Sequence, residues 1–293
     1  MFNTPSTDIV KKNITDTHIH IWDLEKARYQ WLEGDASILN RTYRLEELLP
    51  EMEGTPVTSG ILVQAANHVK DTELMLEAAR AHPCMAGVVG WLPLTDPAET
   101  GRLLESRFLR EPYFKGVRHL IHNEADPAWL LQDTVLESLG ILAAHHIPYD
   151  VVGVNDQHLQ AAIRVSEKIP ALRLVLDHLN QPPIKGQQRF GAWGTLMREI
   201  AGNGNVYAKI SGLGTASGNP AAWTADDVAP YIGYALNVFG ADRCLLGGDW
   251  PVSKLAGSYA RHWEIYTGVI NDRLNGADAE KVFHGNAARF YNI

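Results

Sequence analysis

Eight short apolar segments, separated by longer stretches of helical periodicity, constrain the fold of this chain more than any other feature of its sequence. Most of the segments are rich in Val, Ile and Leu, which is typical of parallel strands covered on both faces. Strands that alternate with helices from end to end predict a parallel sheet with right-handed crossovers. The predicted strands are Ile14–Ile21, Thr58–Gln64, Met85–Trp91, Phe114–His119, Ile147–Val152, Leu172–His178, Val206–Ser211 and Cys244–Asp249.

A closed barrel fits this alternation better than an open doubly wound sheet does. An open sheet usually carries a glycine-rich phosphate loop after its first strand, whereas this first strand ends in THIHIWDL. Neither a G-x-G-x-x-G nor a Walker-type loop occurs in the sequence, which disfavours nucleotide binding. The length of 293 residues suits one barrel, since such domains typically have ~250 residues plus insertions. We therefore predict a single (β/α)8 TIM barrel domain over residues 1–293.

Charge and composition narrow the class of partner. The formal net charge of -8 disfavours nucleic acid and anionic membrane surfaces. No apolar run reaches the roughly 18 residues that a membrane span needs, and the N-terminal stretch MFNTPSTDIVKKNITD lacks the apolar core of a secretory signal. Cys84 and Cys244 lie in separate apolar runs and are expected to be reduced thiols. We expect a cytoplasmic protein that acts on a small molecule, and assembly into a homo-oligomer stays open.

Three histidines and one aspartate lie where a barrel enzyme places its chemistry. His18 and His20 are two residues apart on the first strand and therefore share a face. His178 ends the sixth predicted strand, and Asp249 ends the eighth, which closes the barrel beside the first. Together they could bind a divalent metal ion or form a water-activating base with polar neighbours. The alternatives are structural histidines and a turn aspartate before Pro251.

Four motifs in this order along the chain carry a resemblance to a known family. THIHIWD, VLDHL, GGDWPV and HGNAARFY resemble the amidohydrolase-2 branch of the amidohydrolase superfamily. Within that branch, DTHIHIWDLEKARYQWL is similar to sugar-lactone lactonases of the L-fucono- and L-rhamnono-lactonase type. The resemblance implies that His18 and His20 line a metal or substrate site. It also implies that His178 contacts the metal, the water or the lactone carbonyl, and that Asp249 is the general base.

The sequence departs from the two-metal pattern of the superfamily. Its fourth strand offers Arg118 and His119 but no lysine for a bridging carbamate, and its fifth offers Tyr149 and Asp150 but no histidine. We therefore expect at most one divalent ion, with zinc as the first candidate, held by the set His18, His20, His178 and Asp249. A metal-free enzyme, in which side chains stabilise the developing oxyanion, is the alternative that the resemblance also allows.

Four further residues are candidates for substrate binding: Arg118, Lys209, Gln64 and Trp22. Arg118 suits a carbonyl or a hydroxyl, or else forms an outward ion pair. Lys209 is unusual in an apolar strand and predicts either substrate contact or an ion pair inside the barrel. Gln64 could bind sugar hydroxyls or satisfy loop backbone.

The aromatic stretch Asp23–Arg44 follows Trp22 and is either a lid over the site or a cap packed by its own aromatic residues. The remaining histidines in helical patterns are predicted to be surface or capping residues. These are His145, His146, His158, His262 and His284.

Three functions fit these features. The first is a hydrolase that opens a sugar lactone, with an aldono-1,4-lactone as the first candidate. The second is a metal-dependent decarboxylase on the same barrel, against which the missing fifth-strand histidine counts. The third is a non-catalytic sugar-binding barrel, which would not require the carboxylate of Asp249.

Overall fold

The computed structural model of the chain describes residues 13–187 and 189–293. The eight predicted strands form one parallel sheet in sequence order. A bridge between Ile19 and Trp250 joins its first and last strands, which confirms the (β/α)8 TIM barrel. The expectation for the N-terminal stretch before residue 13 lies outside the described residues. Strands β1 to β8 span Ile14–Ile19, Val57–Val63, Met85–Gly90, Phe114–His119, Tyr149–Val151, Leu174–Leu176, Val206–Ile210 and Cys244–Leu246.

Helices surround the barrel, and local sequence sets where they begin. Helix α3 follows Asp96, whose side chain accepts a hydrogen bond from the backbone of Glu99, and Pro97 occupies its first turn. Helix α5 begins after Asn155, which caps it in the same way. In the described part of the chain, α1 to α11 span Leu45–Glu53, Val69–Ala81, Pro97–Ser106, Asp133–Ala144, Asp156–Lys168, Gly191–Ala201, Leu213–Ala216, Ala225–Phe239, Tyr259–Arg273, Gly276–Glu280 and Asn286–Tyr291.

The sixth and eighth strands end earlier than their apolar runs predict. Strand β6 ends at Leu176 and β8 at Leu246. His178 and Asp249 have left the extended conformation, with φ of 54° and 57°. In the left-handed region a non-glycine residue costs about 1 kcal/mol or more, and such strain collects at functional sites. Both side chains therefore project from turns at the carboxyl end of the barrel.

The amino-terminal end of the barrel is closed by the last helix. Inward-facing residues such as Val63, Val89 and Val175 pack with Phe290 and Tyr291 of α11. Arg173, just before β6, donates a hydrogen bond to the carbonyl of Phe290 at 2.7 Å. The interior below the mouth is thus filled with side chains rather than open, as is typical of such barrels.

The stretch Asp23–Arg44 packs as a cap. Trp22 and Tyr43 are fully buried with their rings 5.2 Å apart, and the indole of Trp22 donates to the carbonyl of Arg41. Trp31 is half-buried and turns one face toward the central cavity. The cap therefore packs through its own aromatic residues and also contributes one aromatic wall to the cavity.

Two of the histidines predicted at the surface and both cysteines lie in the interior or partly so. His262 is fully buried and His158 nearly so, so surface positions are wrong for both, although His158 Nδ1 does accept from the backbone of Val154 near the start of α5. Cys84 and Cys244 are free thiols, the former half-buried and the latter buried. None of the described helices is both long and apolar enough to cross a membrane.

Candidate active site

The ends of β1 and β8 are fastened together, and this brings the predicted site residues into contact. The backbone of His20 donates to the carbonyl of Trp250, and that of Asp249 donates to the carbonyl of His18, both at 2.7 Å. The Nε2 atoms of His18 and His20 lie 3.0 Å apart. Asp249 Oδ1 lies 3.5 Å from His20 Nε2 and 3.8 Å from His18 Nε2.

His178 completes this group from the turn after β6. Its Nε2 lies 4.0 Å from Asp249 Oδ1, and its Nδ1 lies 2.8 Å from the hydroxyl of Ser211. Gly212 makes this approach possible, because a Cβ at that position would lie 2.7 Å from His178 Nδ1. The structure thus brings His18, His20, His178 and Asp249 together at the mouth of the barrel, and we call these four residues the mouth cluster.

The protonation of the mouth cluster follows from its surroundings. Burial lowers the pKa of His18 well below its usual range, and also that of His20. Burial alone would raise the pKa of Asp249, but the imidazoles of His178, His20 and His18 hold it below the ordinary value. The site therefore presents an ionised carboxylate beside the neutral imidazoles of His18 and His20, and in that ionised form the carboxylate can accept a proton.

The donor atoms of three of these residues fit a metal ion. His20 Nδ1 lies 2.7 Å from the carbonyl of Val63 and donates to it, which leaves the lone pair on Nε2. His18 Nδ1 lies 3.4 Å from Asp177 Oδ1, which favours the same tautomer. Two imidazole lone pairs and a carboxylate oxygen of Asp249 then lie within 4.8 Å of one another. Acceptors that converge in this way need a cation or a proton between them.

A second ion has no comparable ligand set. Across residues 13–187 and 189–293, the group His18, His20 and Asp249 is the single cluster of three potential ligands. On β5, where a further histidine would stand, Asp150 is paired with Lys209 at 2.6 Å. The arrangement therefore suits one divalent ion at most.

Arg118 faces the cavity rather than solvent. Its guanidinium is 2% exposed and donates to Asp177 Oδ2 at 3.0 Å and to the backbone carbonyl of Gln64. Nη1 also lies 3.3 Å from His18 Nε2. The alternative of an outward ion pair is therefore wrong, and Arg118 stands beside the mouth cluster as a fixed positive charge.

Lys209, Gln64 and Trp22 form polar contacts with other parts of the barrel, although Gln64 Oε1 has no hydrogen-bond partner among the described residues. The ammonium of Lys209 is fully buried and lies 2.9 Å from Asp177 Oδ1, which is the ion pair inside the barrel. The amide of Gln64 donates to the carbonyl of Arg118 at 3.0 Å. None of these three side chains lines the cavity, so the contacts that the structure shows for them are structural, and substrate contact by them stays a prediction.

The cavity in front of the mouth cluster has a volume of about 340 Å³. Its reacting side is formed by His20, Arg118, His178 and Asp249. Three participants were missed from the sequence: His122, which lines the cavity, and Ser211 and Asp177, which hold His178 and Arg118. Asp177 directly precedes His178 in VLDHL, and this adjacency was the signal available for it.

Comparison with known proteins agrees with the resemblance. The family model described as Amidohydrolase matches residues 15–293. An L-fucono-1,5-lactonase of Burkholderia ambifaria is 34% identical, with 95% of each chain covered. An L-fucono-1,5-lactonase of Burkholderia multivorans is 31% identical over the same share of both chains.

Solved structures give the same result. The crystal structure of an amidohydrolase from Burkholderia multivorans with bound HEPES superimposes with a TM-score of 0.88 at 30% identity, covering 96% of this chain and 99% of the other. A second crystal structure of an amidohydrolase from that organism, with bound zinc, has a TM-score of 0.87 at 29% identity with the same coverage. This chain belongs to the amidohydrolase family.

Proposed function

We propose that this protein is a lactonase that opens the ring of a sugar lactone, with Asp249 as the general base. The observation that carries the proposal is an ionised carboxylate, held among three imidazoles, at the edge of the central cavity. Relatives named L-fucono-1,5-lactonase support the substrate class. They also favour a 1,5-lactone over the 1,4-lactone first expected from the sequence.

The proposed reaction begins with Asp249. Its carboxylate accepts a proton from water while the water oxygen bonds to the lactone carbonyl carbon. Arg118 lines the cavity beside Asp249 and is placed to bind the carbonyl oxygen of the lactone. Collapse of the tetrahedral intermediate breaks the bond to the ring oxygen, and Asp249 returns its proton there. The product is an open-chain hydroxy acid.

His178 is the second proposed catalytic group. When the hydroxyl of Ser211 donates to Nδ1, the remaining ring proton resides on Nε2, which faces Asp249 and the cavity. An N–H at that position can donate to the carbonyl oxygen of the substrate. Ser211 thereby positions His178 without itself contacting the lactone.

His18, His20 and Asp249 would hold one divalent ion, with zinc as the first candidate. When bound, such an ion lowers the pKa of a coordinated water and polarises a carbonyl. His18 Nε2 also accepts from Arg118, so an ion and Arg118 compete for the same lone pair. Elemental analysis of the purified protein is expected to find one ion per chain or fewer, and two tightly bound ions would contradict this.

The direct test is proton release from a lactone panel. Wild-type protein is expected to hydrolyse a hexono-1,5-lactone faster than the matching 1,4-lactone. Protein-free buffer serves as the blank for spontaneous ring opening, and the Asp249→Asn variant tests the general base. If the wild type is no faster than buffer on every lactone, the proposed function is wrong.

A further inference from the structure

The wall of the cavity that faces the mouth cluster has a different chemistry. Strand order places β4 and β5 across the barrel from β8 and β1. Leu120 and His122 follow β4, Val152 and Val154 follow β5, and all four line the cavity. This wall is therefore apolar apart from one imidazole.

One ring nitrogen of His122 lacks a hydrogen-bond partner. Its Nδ1 is buried and accepts or donates no hydrogen bond within the described residues. Burial, together with the charge of Arg118, lowers the pKa of His122 to about 4, although a hydrogen bond to the carbonyl of Val152 opposes the shift. At neutral pH the ring is uncharged, with one donor and one acceptor nitrogen.

The neighbours of His122 leave its Nδ1 without a hydrogen bond, although the carbonyl of Val152 accepts one from the ring. Leu120, Val152 and Val154 offer aliphatic side chains, and an unpaired buried polar group costs free energy. The group that completes its hydrogen bonds must come from whatever fills the cavity. His178 and Arg118 are near enough for their charges to affect its pKa, so one small ligand can contact both the reacting side and His122.

We propose that His122 is a specificity residue that binds a hydroxyl group on the lactone ring atom farthest from the carbonyl carbon. This inference rests on the proposed lactonase function. With the carbonyl at Asp249 and Arg118, the opposite atom of a six-membered ring is directed at the β4–β5 wall. The aliphatic side chains of this wall offer Nδ1 no partner, so a ligand lacking that hydroxyl leaves Nδ1 unpaired.

The experiment combines two substitutions of His122 with two substrates. His122→Phe keeps an aromatic ring and removes both nitrogens, and His122→Gln retains a donor and an acceptor. The substrates are two 1,5-lactones that differ only in the hydroxyl opposite the carbonyl. For His122→Phe we expect kcat/KM to fall about tenfold on the hydroxylated lactone and to stay within about twofold on the deoxy lactone. His122→Gln should recover part of the loss.

Equal losses on both substrates, or no loss on either, would overturn the inference while leaving the lactonase function intact. Failure of the wild type to hydrolyse any lactone would overturn both. Melting temperatures check that the variants fold. If His122→Phe does not fold, the wild type alone supplies the test. Its kcat/KM must then favour the hydroxylated lactone by about tenfold or more, and a smaller ratio would refute the inference.

Discussion

Two neighbouring groups of buried ionisable residues lie inside this barrel. They differ in how completely their charges and lone pairs are matched by partners. The mouth cluster has lone pairs that converge on one another beside a cavity. Below it, Asp150, Asp177, Lys209 and Tyr291 form what we call the interior cluster. Lys209 Nζ lies 2.6 Å from Asp150 and 2.9 Å from Asp177, and the hydroxyl of Tyr291 donates to Asp150 at 2.8 Å.

The two clusters differ in whether each carboxylate has a cation as its partner, and this difference separates a structural role from a catalytic one. In the interior cluster each carboxylate faces a cation, so the charges stabilise one another and none is available to a substrate. In the mouth cluster the carboxylate of Asp249 has imidazole neighbours at 3.5 Å or more and an opening in front of it. Burial of a charge is thus weak evidence for catalysis, whereas incomplete pairing at a cavity points to chemistry.

The largest expected effect is on turnover, at Asp249. Asp249→Asn keeps the size of the side chain but cannot accept the proton of water. Because general-base catalysis contributes about 10²–10⁴-fold, kcat should fall by at least the lower figure. Lactone hydrolysis followed by proton release measures this, with circular dichroism as the control for folding. Turnover within a few-fold of wild type would mean that the base lies elsewhere and that incomplete pairing of Asp249 does not mark it as catalytic.

A substitution in the interior cluster should lower the free energy of unfolding rather than the turnover. Lys209→Met preserves much of the side-chain length but leaves Asp150 without a cation and Asp177 paired only with Arg118. Removal of one partner from a buried ion network destabilises by about 3–5 kcal/mol, which urea unfolding would measure. Lys281→Met is the matched control, because Lys281 forms its ion pairs at the surface. If the two variants unfold at the same urea concentration, the interior cluster does not stabilise the fold.

Sequence alone could predict the strands and the mouth cluster for a physical reason. Strand periodicity gives the shared face of His18 and His20, and parallel topology sends every strand end to the same mouth. The same reasoning could not separate Lys209 from Arg118, because both are cations on inward positions. Only the packing shows that Lys209 is enclosed between two carboxylates while Arg118 reaches the cavity.

Residues in loops were the least predictable. His122 lies in a short turn after β4, where no strand or helix periodicity fixes the direction of a side chain. Trp22 and Gln64 follow strand ends just as His178 does, yet both are drawn into contacts with neighbouring backbone. Tertiary packing, which is not encoded in local spacing, decides which of these side chains face the substrate.

Arg118 connects the two clusters and should show an intermediate effect. Its planar guanidinium contacts Asp177 Oδ2 and the carbonyl of Gln64 at once. Arg118→Lys replaces that fork with a point charge. We expect KM for the best lactone to rise about tenfold, with a smaller change in kcat, because substrate binding is lost more than proton transfer. A loss confined to kcat at unchanged KM would assign Arg118 to the chemical step alone.

The smallest expected effect concerns Tyr291, the third residue from the end of the sequence. Its hydroxyl lies 3.0 Å and 2.8 Å from the two oxygens of Asp150, and its ring packs edge-on against Phe290 at 4.8 Å. Tyr291→Phe keeps that packing and removes one donor from a carboxylate that still holds Lys209. We expect the free energy of unfolding to fall by about 1 kcal/mol, with KM unchanged and kcat within about threefold of wild type, because this carboxylate has no part in proton transfer.

Tyr207→Phe is the matched control, since Tyr207 also packs against Phe290 and its ring lies 4.8 Å away but its hydroxyl has no bond to Asp150. A stability loss in Tyr291→Phe that exceeds the loss in this control is the effect of the Asp150 contact. If Tyr291→Phe instead lowered kcat as strongly as Asp249→Asn, the interior cluster would take part in the reaction. Pairing would then be no guide to which buried charges do chemistry in this barrel.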